Sequence, residues 1–125
     1  MTAAGLTVIA ATGIELDTTV TTIAITDNTG AVSNTVIRES NGLDIAASNV
    51  DGNLTVTVTA GNLTDSGTVT VGGTGSFTTS TANADIDLGT LAVTGSIDLH
   101  TNGATGNASV VNATVLDLAT SAVGG

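Results

Sequence analysis

The sequence predicts an all-β fold, a parallel β-helix of about five to six coils, and two observations carry that prediction. The first is a ten-residue pattern that returns along the chain. It runs Leu43-Asp44-Ile45-Ala46-Ala47-Ser48-Asn49-Val50-Asp51-Gly52, reappears loosely from Ile86 to Gly95, and closes the chain from Leu116 to Gly125. The second is short-range alternation of apolar residues with Thr or Asp, without any stretch of helical spacing. Short strands at a recurring interval mark a solenoid, whose unit buries its apolar face only by stacking on the next unit.

In chain order, the alternating runs are Ile14-Glu15-Leu16, Ile23-Ala24-Ile25, Leu43-Asp44-Ile45, Leu54 to Val58, Val69-Thr70-Val71, Ile86-Asp87-Leu88, Leu91-Ala92-Val93, Ile97-Asp98-Leu99 and Leu116-Asp117-Leu118. Each reads as a short strand with one face inward. Turn signals separate them: Asp27-Asn28-Thr29-Gly30, Asn41-Gly42, Asp51-Gly52, Asp65-Ser66-Gly67, Gly72-Gly73 and Asn102-Gly103. Asn-Gly and Asp-Gly also suit tight hairpins, so an antiparallel sandwich is the alternative. The recurrence of one pattern, and the lack of the Trp or Tyr that anchors immunoglobulin-like sandwiches, favour the solenoid.

Composition points the same way. The chain has 125 residues, no Pro, Cys, Trp or Tyr, and a single aromatic, Phe77. A core poor in aromatics must be built from Val, Ile, Leu and Ala, which suits a narrow tube of one domain spanning 1–125. Eleven acids against the lone base Arg38 give a formal charge of −10, which repels phosphate backbones and argues against nucleic-acid binding. The charge-free stretch from Met1 to Ile14 is interrupted by Thr and Gly and lacks a basic lead, so it reads neither as a signal peptide nor as a bilayer span.

Gly52-Asn53-Leu54-Thr55-Val56-Thr57, Leu63 to Thr74 and Gly13-Ile14-Glu15-Leu16-Asp17-Thr18-Thr19-Val20 resemble recurring pieces of the large bacterial exoproteins related to filamentous haemagglutinin. The resemblance covers most of residues 5–125. It implies a right-handed parallel β-helix, export through an outer-membrane partner, an extracellular or cell-surface location, and a structural or adhesive role in surface fibres. The secretion-signal domain that begins such proteins has no counterpart in this segment.

Candidate site residues are few. Glu15, Asp44, Asp87, Asp98 and Asp117 each stand between apolar neighbours and should point outward, where stacked coils would offer carboxylates to a divalent cation such as calcium or simply keep the rod solvated. Asp85, Asp87 and Asp98 are the metal candidates. Asp85 and Asp87 also have the spacing of a paired-carboxylate site, but no enzyme activity is expected. A polysaccharide lyase would need cations to neutralise its substrate, and Arg38 and His100 are a poor supply. His100 should point outward beside Asp98; without Cys or a second His it supports neither a zinc site nor a triad. Arg38 should pair with Glu39 or with an acid of a neighbouring coil.

Gly72 to Phe77 faintly follows the calcium-binding nonapeptide roll, but Phe77 stands where the Asp ligand should be and is better placed as a plug of the core. Asn53, Asn62, Asn107 and Asn112 open glycosylation-type triplets and read instead as turn and ladder residues. The Thr-rich runs Thr55 to Thr59 and Thr68 to Thr70 suggest a second function class, a surface that binds polysaccharide or ice, provided consecutive coils repeat Thr-x-Thr on one face. The last expectation is assembly: because 116–125 restates 43–52, the C-terminal edge should match one already paired inside the rod. That predicts end-to-end self-association, or continuation into a longer repeat protein.

Overall fold

The computed structural model describes residues 2–27 and 33–125, so Asn28 to Gly30 of the first turn signal lie outside the described residues. Twelve strands follow one another: β1 (Thr2–Ala10), β2 (Ile14–Asp27), β3 (Thr35–Glu39), β4 (Leu43–Ile45), β5 (Ser48–Val50), β6 (Leu54–Val58), β7 (Leu63–Asp65), β8 (Val69–Val71), β9 (Gly75–Ala82), β10 (Ile86–Val93), β11 (Ile97–Asn102) and β12 (Ala108–Asn112). All twelve strands pair in parallel. The chain is a β-solenoid of about five turns, not a sandwich.

Two parallel sheets share the work. Sheet I stacks the first half of β2 on β3, β6, β9 and β11. Sheet II stacks β1 on the second half of β2, then β4 with β5, β7 with β8, β10 and β12. Each coil thus lays one strand in sheet I, turns, crosses sheet II in two short steps, and returns. Paired residues lie 17 to 23 residues apart in sequence, as in Leu6 with Ile23, Thr35 with Leu54 and Leu63 with Ile86.

Parallel stacking puts like positions into columns. In sheet I, Leu16, Ile37, Val56, Phe77 and Leu99 follow one another, and the last four are essentially closed to solvent. Leu43, Leu63 and Ile86 form a column in sheet II, as do Val50, Val71 and Val93. Each fully buried aliphatic stabilises by roughly 1.5–3 kcal/mol, and the tube is narrow enough for one layer of them. Phe77 is the largest fully buried side chain, the plug that its lone occurrence suggested.

The corner between sheet II and sheet I carries a glycine column. Gly73 N–H donates to Gly52 O, and Gly95 N–H to Gly73 O, both at 2.9 Å. A Cβ on Gly95 would stand 2.7 Å from Gly73 O and one on Gly73 2.9 Å from Gly52 O, so the coils close only without side chains there.

That column also shows which copies of the ten-residue pattern are equivalent. Leu43 and Ile86 both pair with Leu63, and Gly52 and Gly95 both bond to Gly73, so 43–52 and 86–95 occupy the same place two coils apart. The copy at 116–125 does not. Leu118 pairs with Ile97 and Ala122 with His100, which places this copy in sheet I. The expectation that its edge matches one already paired at 43–52 is therefore corrected. Three coils on from Leu43 the sheet II column reaches Ala108, and Leu116 follows eight residues later, where the chain has already left β12 for sheet I.

Candidate functional site

The outward face of sheet I collects most of the distinctive chemistry. Two columns run along it: Glu15, Val36, Thr55, Ser76 and Asp98, and beside them Asp17, Arg38, Thr57, Thr78 and His100. Arg38, the single basic residue apart from His100, lies one rung from two acids of the preceding coil. Its Nη1 is 2.8 Å from Glu15 Oε1 and 3.7 Å from Asp17 Oδ1. The hydrogen bond and the charge of Glu15 hold the guanidinium above its ordinary pKa, with Asp17 adding less and partial desolvation opposing. A base with a raised pKa keeps its charge until pH passes that value, so the pair persists throughout the neutral range. Arg38 thus takes the neighbouring coil's acids and not Glu39.

Glu39 has turned inward. Its side chain is 1 % exposed at the corner where β3 leaves sheet I. Oε2 accepts from Thr18 Oγ1 at 2.5 Å and Val20 N–H at 3.0 Å, and Oε1 accepts from Ser40 N–H at 2.8 Å and Asn41 N–H at 3.3 Å. Four donors fill the acceptor capacity of the carboxylate and tie the turn after β3 to the preceding coil. Asp27 does the same work at the next corner: fully buried, it accepts from Ser33 Oγ at 2.7 Å and Thr35 Oγ1 at 3.3 Å.

Beside Glu39 opens a shallow cleft of about 430 Å³, lined by Asp17, Thr18, Thr19, Arg38, Glu39, Ser40 and Thr59. Its walls offer hydroxyls and one paired guanidinium. Glu39 brings no free lone pair to the cleft, because its acceptor sites are committed to the corner. The arrangement suits hydrogen bonding to a polar surface better than proton transfer.

The structure does not bring the metal candidates together. Asp87 lies in sheet II between Thr64 and Ser109, whereas Asp98 lies in sheet I beside Ser76. Asp85, just ahead of β10, accepts through Oδ1 from Asn107 N–H at 2.8 Å and Asn107 Nδ2 at 3.3 Å. Asp44 and Asp87 share a column but are separated by Thr64, about 10 Å apart at strand spacing. Asp44 is held by Ser66 Oγ at 2.6 Å and Thr64 Oγ1 at 3.3 Å. Among the described residues no three His, Cys, Asp or Glu side chains converge as metal ligands.

His100 Nε2 is 2.8 Å from Asp98 Oδ1, the neighbour that alternation gave it. That oxygen is closed to solvent and has no other polar partner among the described residues.

The Asn residues form a ladder, though through the backbone and not with each other. Asn34 Oδ1 accepts from Asn53 N–H at 3.1 Å, Asn53 Oδ1 from Thr74 N–H at 2.8 Å, and Asn62 Oδ1 from Asp85 N–H at 2.9 Å. Asp65 extends the same device, accepting from Gly89 N–H at 2.8 Å and Thr90 N–H at 2.9 Å across the bend of β10. Each side chain satisfies a turn donor one coil further on.

Sequence reasoning missed Glu39 and Asp27 as buried groups, reading one as an alternative to a neighbouring coil's acid in pairing with Arg38 and the other as a turn. Glu39 carries a readable signal: in Thr35-Val36-Ile37-Arg38-Glu39 it shares the parity of Ile37, and that alternation turns it inward. What defines the molecule is a stack of parallel coils with hydrogen-bonded polar corners, the architecture of a β-solenoid repeat protein. Residues 32–90, from just ahead of β3 into β10, match a family model described as repeats of unknown function (DUF5649). No curated protein and no solved structure matches the chain.

Proposed function

We propose that this chain is a structural or adhesive repeat segment of a bacterial extracellular or cell-surface fibre, without catalytic chemistry of its own. The observation that carries the reading is the uncovered apolar edge of the last coils. Val111, Val115, Leu116, Leu118 and Val123 are 41 to 82 % exposed, and Leu118 pairs with Ile97, which one coil further in is closed to solvent. A solenoid gains stability by adding coils, so such an edge suits a unit that continues into more of the same. The interlocking of coils through Glu39, Asp27 and the Asn ladder supports a mechanical role. Electron microscopy of the purified protein at increasing salt tests it: linear assemblies are expected, and a strictly monomeric rod with one tightly bound small ligand would overturn it.

A second reading has one specific observation in its favour. Thr55 and Thr57 stack on Ser76 and Thr78, so two consecutive coils repeat a hydroxyl-x-hydroxyl pair on the outward face of sheet I. The array is bounded by Val36 and Arg38 on one side and by Asp98 and His100 on the other. It fits a polysaccharide chain laid along the rod better than an extended ice plane. Glycan-array binding without thermal hysteresis is the expected result for this alternative.

A further inference from the structure

We infer that the C-terminal edge of this solenoid is a docking site for the N-terminal edge of a second copy, in one register: β12 against the partner copy's β1, and residues 118–122 against the first half of its β2. The inference rests on the fibre reading only for its biological setting; its argument is geometric. At the C-terminal end the two sheets stop at different heights. Residues 118–122 add a rung to sheet I through the pairing of Leu118 with Ile97 and Ala122 with His100, whereas sheet II stops one half-coil earlier at β12, which pairs only with β10 among the described residues. At the N-terminal end the step is the converse. β1 adds a rung to sheet II alone, and sheet I begins with Ile14 to Thr18. One end lacks the half-coil that the other supplies.

The columns agree with this fit. Following the register through the stack, Val110 continues the column of Leu88 and Asn112 that of Leu91, while at the far end Leu6 begins the column of Ile23 and Val8 that of Ile25. In the docked arrangement Leu6 would lie beside Val110 and Ile14 beside Leu118. The half-exposed Leu118 and the partly covered Leu6, Val8 and Val110 would then become inner-coil positions.

Charge selects the same surfaces. Solenoid and sheet edges are normally protected by Lys, Pro or inward-pointing charge. This chain has no Pro, and β1, β12 and residues 118–122 contain no charged residue at all, although eleven acids are available. The two acids at the facing edge, Glu15 and Asp17, are neutralised in part by Arg38. What opposes the contact is the overall charge of −10 on each copy, a long-range repulsion that salt screens. Where the native chain runs on, its own next half-coil fills the same place in the same way.

The test uses two edge-blocked variants. Leu118→Asp puts a carboxylate on the exposed C-terminal edge. Thr7→Pro blocks the N-terminal edge: Ala4 O faces β2, where it accepts from Thr21 Oγ1, and alternation turns the N–H of residues 5, 7 and 9 to the free side. Circular dichroism confirms that each variant keeps its β-rich fold. By sedimentation velocity in high salt, the unmodified chain is expected to form a ladder of linear oligomers and each variant alone to remain monomeric. Mixed one to one, the variants should yield a species of twice the monomer mass and nothing larger, because one free edge of each kind remains. Oligomers in either variant alone, or none in the mixture, would refute this register while leaving a fibre of other geometry open. An unmodified chain that stays monomeric at high salt and concentration would overturn both the docking and the self-assembling fibre.

Discussion

Gly75 and Phe77 occupy one another's space: a Cβ on Gly75 would stand 2.8 Å from Phe77 Cε2. The two residues are neighbours on the inward face of β9, and the ring fits into the tube because the position before it has no side chain. The column of Leu54, Gly75 and Ile97 is interrupted at the point where the adjacent column widens from Val56 to Phe77.

Gly75→Ala is therefore expected to destabilise by about 1–3 kcal/mol through overpacking, and Phe77→Ala by about 3–5 kcal/mol through the cavity it leaves. Combined with Phe77→Leu, Gly75→Ala should cost less than alone, since the smaller side chain releases the space. Urea unfolding of the four variants reads this coupling. Strict additivity would show that the two residues do not share a volume.

Removing Glu39 leaves four donors at one corner without their acceptor. Glu39→Ala should cost on the order of 3–5 kcal/mol, and Glu39→Gln about half as much, because an amide oxygen can still accept. Thermal melts at neutral pH give the order. A loss within 0.5 kcal/mol, about that of an exposed surface change, would mean that the corner carboxylate is solvated in solution.

The ladder makes a graded prediction. Asn53→Ala and Asn62→Ala each remove a bond to a turn N–H one coil on, at 2.8 Å and 2.9 Å, and each should cost about 0.5–1.5 kcal/mol. Lying on different corners, they should add. Hydrogen exchange offers a second readout, with faster exchange expected at Thr74 and Asp85 respectively and not elsewhere.

Calcium should not matter to folding. With Asp44 and Asp87 in one sheet separated by a threonine, and Asp98 in the other, millimolar calcium and chelator should give the same melting temperature. A rise of several degrees with calcium would reveal a site formed between coils or between copies.

Much of the fold was legible because a solenoid is a local code. Ile23-Ala24-Ile25, Leu54 to Val58 and Val69-Thr70-Val71 alternate strictly, and each is found as a strand with its apolar residues inward. Of the strands that alternation did not announce, β5 and β9 place Ser48, Gly75 or Thr79 inward; the two hydroxyls are satisfied by bonds to Ala46 O and Ala84 O.

The sequence by itself determined the class of this protein: parallel coils, a core without aromatics beyond Phe77, and an acidic, hydroxyl-rich exterior. Tertiary structure alone decided the phase. The pattern at Leu43 and Ile86 falls in one sheet and its copy at Leu116 in the other, because the third coil from Leu43 returns to that column at Ala108 and Leu116 lies eight residues beyond it; where each coil closes is set by pairing with the coil before and is not written in the pattern itself. The same holds for Glu39, whose donors Thr18 and Val20 lie one coil away. Alternation turns a side chain inward; what meets it there depends on which residue the previous coil has brought to that height.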